Sequence, residues 1–80
     1  MELPTINQQR ESRYDEFAHE LDQKAATHPA DESWLPFPDQ HELTPGTRSV
    51  YRWRINTGEL IGPGYEAATR AGWLYARKKP

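Results

Sequence analysis

The chain contains no cysteine, so neither a disulfide framework nor a thiolate metal site can organise it. It has no run near the roughly 18 consecutive apolar residues of a membrane-spanning helix. Its first residues lack the basic-then-apolar order of a secretory leader. These absences set the expectation of a cytoplasmic protein with no membrane partner. Apolar residues are few, 35% of the chain against 28% charged. Eighty residues of that composition form one domain around a thin core. Aromatic residues, at 11%, argue against simple disorder.

Catalytic signatures are missing as well. His19, His28 and His41 lie nine and thirteen residues apart, not at the three-to-five spacing that sets two metal ligands on one helix face. Gly58, Gly62 and Gly64 fall in turn-like sequence without the Lys-Ser/Thr of a phosphate loop. There is no nucleophile elbow. Carboxylates are plentiful, but no pattern places two in a pocket with opposed proton demands. The expectation is no catalytic residue, no metal, no cofactor and no enzymatic activity.

What the chain does have is sorted charge. Residues 1–43 hold ten carboxylates against three cations, and residues 44–80 hold seven cations against two carboxylates, for a net charge of −2. Such asymmetry points to charged partners, or to two halves that neutralise each other.

The pattern predicts an α+β domain. Residues 1–4 read as a loose arm. Thr5 is a candidate cap for an amphipathic helix over 5–28, with Tyr14, Phe17 and Leu21 on its apolar stripe. Pro29 ends it. Residues 29–47 read as an irregular connection whose Trp34, Leu35 and Phe37 plug the core, with a third short strand allowed near Trp34 to Phe37. Thr44-Pro45-Gly46-Thr47 reads as a turn. Over 48–61 the residues alternate, Tyr51, Trp53 and Ile55 against Arg48, Val50, Arg52 and Arg54, which predicts a β-hairpin turning at Asn56-Thr57-Gly58. Ala67, Ala68, Ala71, Leu74 and Tyr75 recur at spacings of three and four, predicting a helix and basic tail over 65–79.

Two surfaces follow. Glu11, Asp15, Glu16, Glu20 and Asp22 make the first helix acidic. Glu11/Asp15 and Glu16/Glu20 repel at a four-residue spacing, which suits a surface kept for a partner. With Arg52 and Arg54 as secondary contacts, this predicts a non-enzymatic protein-binding module for a basic surface on another protein or protein–nucleic-acid complex. By analogy of size and charge it fits an inhibitor of a nucleic-acid-binding complex, of the phage anti-defence, anti-CRISPR-like kind. The alternative is direct nucleic-acid binding through Arg48, Arg52, Arg54, Arg77, Lys78 and Lys79. A further alternative is a structural or homo-oligomeric subunit.

Overall fold

The structure, a computed structural model, describes residues 12–80. The expected arm, the Thr5 cap and Glu11 lie outside the described residues. Two helices and a three-stranded antiparallel sheet follow one another: α1 (Ser12–Thr27), β1 (Leu35–Pro36), α2 (Pro45–Asn56), β2 (Tyr65–Arg70) and β3 (Trp73–Lys78). Short 3₁₀ turns at Ala30–Glu32 and Gln40–Glu42 flank β1. The strand order is β1-β3-β2. The α+β class, the first helix and the short strand near Trp34 to Phe37 are therefore as read from the sequence.

The stripe on α1 buries Tyr14, Phe17, Ala18 and Leu21. They join Phe37, Ile55, Leu60, Ile61 and the inward strand residues Tyr65, Ala67, Leu74 and Ala76 in one core. Phe37 is its centre. Its ring stacks on Tyr14 at 5.6 Å and on Tyr51 at 5.3 Å, and meets Phe17 edge-on at 5.6 Å. One side chain from the connection thus ties both helices together.

The second half of the chain departs from expectation. Residues 48–61 are not a hairpin; most of the stretch is α2. Thr44 caps that helix, its Oγ1 accepting from the Thr47 N–H at 3.2 Å, and Pro45 occupies the first turn. Tyr51 and Ile55 share a face in a strand or in a helix, because they are four residues apart. Trp53 distinguishes the two, and it is 59% exposed rather than in the core. Gly58 has the left-handed conformation (φ 81°), but it ends a helix rather than closing the expected hairpin turn. A Cβ there would also meet backbone atoms of Pro63 at 3.4 Å. The expected return strand Glu59-Leu60-Ile61 is an irregular crossing that buries Leu60 and Ile61.

Residues 65–79 are likewise not a helix but the β2–β3 hairpin. Its register pairs Glu66 with Arg77, Ala67 with Ala76, Ala68 with Tyr75 and Arg70 with Trp73. The connecting residues, Ala71 (φ 53°) and Gly72 (φ 84°), are both left-handed, as the favoured two-residue hairpin turn requires. A glycine that is costly inside a helix is suited to this turn. Ala71 is not suited, because its Cβ opposes positive φ. Ala71→Asn is expected to raise stability by about 1 kcal/mol, a gain of roughly 4–8 °C in Tm by thermal denaturation.

Two carboxamides finish the sheet where strands run out. Beyond β1, Gln40 Nε2 donates to the Leu74 carbonyl at 2.8 Å and Gln40 Oε1 accepts from the Leu74 N–H at 2.6 Å. On the outer edge of β2, Asn56 Nδ2 donates to the Ala67 carbonyl at 3.2 Å and Oδ1 accepts from the Ala67 N–H at 2.7 Å. Each side chain stands in for the next residue of a ladder.

Candidate functional site

The first helix turns a row of polar residues outward. Asp15, Glu16, His19, Glu20, Asp22 and Gln23 are all exposed. Glu16 and Glu20 lie one turn apart, and no cation among the described residues pairs with either. Asp22 is engaged within the fold: it accepts from the Tyr65 hydroxyl at 2.7 Å and lies 3.6 Å from Lys78 Nζ. That joint is where the acidic helix meets the basic hairpin.

The basic residues are mostly used internally. Arg48, expected on an open strand face, is only 9% exposed. It donates through Nε to the Gln40 carbonyl and through Nη1 to the Gly72 carbonyl, both at 3.1 Å, and its guanidinium lies 4.3 Å from the Trp73 ring centre. Arg54 pairs with Glu59 at 2.8 Å. Arg77 pairs with Glu66 at 2.6 Å, donates to the Ala30 carbonyl at 2.7 Å and lies over the Trp34 ring. Of the six cations considered for nucleic acid, Arg52 and Lys79 remain exposed without an ion pair among the described residues. Arg52 lies on α2, whereas Lys79 follows β3. The fold thus does not gather the six into one free patch.

Two other features emerge that the sequence reading did not single out. Val50 and Trp53, 55% and 59% exposed, are neighbours on the outer side of α2. The second feature is a slot of about 680 Å³ on the sheet face away from the helices, lined by Asp31, Glu32, Trp34, Ala68, Thr69, Arg70 and Tyr75. Its cause is local. Ala68 is the small residue between Glu66 and Arg70 on the outward side of β2, and Tyr75 stands opposite it. The turn carrying Asp31 and Glu32 is held at its base by the buried Ser33, whose Oγ donates to the Ala30 carbonyl at 2.9 Å, and by the Arg77 contact to the same carbonyl. Among the described residues, no three His, Asp or Glu side chains converge as metal ligands, and no helix is long and apolar enough to cross a membrane. Comparison with protein-family models, curated proteins and solved structures finds no match for this chain.

Proposed function

We propose that this chain is a non-enzymatic protein-binding module, docking the outer face of α1 on a basic surface of another protein or protein–nucleic-acid complex. One observation carries the reading. Asp22, Glu59 and Glu66 each neutralise a neighbouring cation, whereas Glu16 and Glu20 repel each other one turn apart and pair with no cation among the described residues. A charge pair left in that condition gains most from an external partner, and complementary charge speeds encounter and fixes register. In its finer form the proposal is inhibition: carboxylates along a helix compete with phosphates for a basic groove. Arg52, exposed on α2, is a secondary contact, and Arg54 contributes through its pair with Glu59.

The test is affinity capture with the immobilised full chain, followed by identification of what is retained. The wild type is expected to retain a specific protein or complex, and Glu16→Lys/Glu20→Lys is expected to lose it at least tenfold while keeping the wild-type circular dichroism and Tm. Glu42→Lys, remote in sequence, is expected to retain it. Equal retention by the double reversal would overturn the proposal. So would salt-sensitive binding of short DNA or RNA by the wild type, weakened by Arg52→Glu in fluorescence anisotropy, which would favour the nucleic-acid alternative.

A further inference from the structure

We infer that the slot on the open sheet face is a receptor for one basic side chain, an arginine or lysine presented by the protein partner; the inference rests on the protein-binding reading above. Its walls are chemically unequal. The aromatic rings of Trp34 and Tyr75 line it, Ala68 leaves room between them, and Asp31 and Glu32 stand at the β1 side. Aromatic faces attract cations through their quadrupoles, and the attraction is stronger where water is partly displaced. Carboxylates beside such rings add charge-assisted hydrogen bonds, which for a guanidinium can be bidentate. The molecule already uses this chemistry on one ring of the slot, with the Arg77 guanidinium 4.5 Å from the Trp34 centre.

Arg70 gives the slot a direction. It belongs to β2, two residues beyond Ala68 and opposite Trp73 in the register. β2 is an edge strand, and β3 separates it from β1. A cation entering the slot is therefore repelled from the Arg70 side and drawn toward Asp31 and Glu32. Arg70 is left to meet a carbonyl or an acidic neighbour in the same incoming segment. A nucleotide would need the reverse order of preference, because its phosphate would gain only Arg70 and would lie in a field set by two carboxylates.

The experiment is an NMR titration of the full chain with N-acetyl-L-arginine amide and N-acetyl-L-lysine amide. N-acetyl-L-glutamate amide and AMP serve as oppositely charged probes. The cationic probes are expected to shift the Trp34 indole N–H and the backbone amides of Ala68, Thr69 and Tyr75 along saturable curves. Asp31→Asn/Glu32→Gln, at two exposed positions, is expected to weaken that response at least tenfold without changing the remaining spectrum. Glu16→Lys/Glu20→Lys is expected to leave it intact, so loss of α1 docking and loss of the slot are read separately. Absence of saturation, an unchanged response in Asp31→Asn/Glu32→Gln, or saturation by AMP in preference to the cations would each overturn the inference.

Discussion

Phe37→Ala is expected to cost the domain a large share of its stability. The substitution deletes a ring that is 3% exposed and touches Tyr14, Phe17 and Tyr51. Truncating a buried phenylalanine costs about 3–5 kcal/mol through lost transfer energy and the cavity left behind. Relaxation cannot easily fill this cavity, because its walls come from α1 and α2, each also packed on the sheet. A chain of eighty residues has about 4–12 kcal/mol in total, so the loss takes between about a quarter of it and all of it. Urea denaturation followed by far-ultraviolet circular dichroism measures the loss. Trp53→Ala, at an exposed position, is the control and is expected to shift stability by about 0.5 kcal/mol or less. A loss below about 1 kcal/mol at Phe37 would show that this ring does not join the helices.

Gln40 is the second position where a large effect is expected, and the effect is diagnostic in kind. The residue is 6% exposed and holds both backbone groups of Leu74. Phe37 also donates to the Leu74 carbonyl, so that oxygen keeps a partner without the glutamine; Gln40 accounts for the N–H. Gln40→Leu leaves that buried donor unmatched and is expected to cost about 1–3 kcal/mol. Gln40→Glu preserves the shape but sets a carboxylate oxygen against the carbonyl. At neutral pH it is expected to cost about 1–3 kcal/mol, because the repulsion from the Leu74 carbonyl and the burial of the charge are offset in part by the neighbouring Arg48 guanidinium. Burial raises the folded-state pKa of such a carboxyl above its unfolded value. The penalty is therefore full above that raised pKa and is relieved as pH falls through it, where the protonated group can donate as the amide does. Urea midpoints of the wild type and Gln40→Glu should converge on acidification. A difference that stays constant with pH would place residue 40 outside the buried ladder.

These two positions show what the sequence could and could not reveal. The stripe Tyr14, Phe17 and Leu21 was legible because nothing but a helix brings that spacing to one face. Tyr51 and Ile55 were not decisive, since a four-residue interval satisfies both periods. The information lay upstream in Thr44-Pro45, which serves equally as a turn and as a helix start. Ala67, Ala68 and Ala71 imitate a helix in composition, because alanine favours one and is depleted in strands. Alternation is nevertheless present on either side of Ala71-Gly72, in Tyr65 and Ala67 before it and Leu74 and Ala76 after it. The exposed carboxylates of α1 could be read because their placement needs only the helix. The slot could not, because residues 31–34, 68–70 and 75 come together only through the strand order. Nor could the roles of Gln40, Asn56 and buried Arg48, whose partners lie 34, 11 and 24 residues away.

Asn56 has a consequence beyond the stability of one chain. Bare strand borders invite a second molecule to continue the ladder, and growth by that route ends in insoluble assemblies. At Ala67 the invitation is withdrawn: both main-chain groups are already occupied by a side chain from α2. A second chain that tried to extend β2 would find neither a free donor nor a free acceptor at Ala67, near the middle of that border. At that position association is left to side chains, which discriminate between partners as main-chain hydrogen bonds do not.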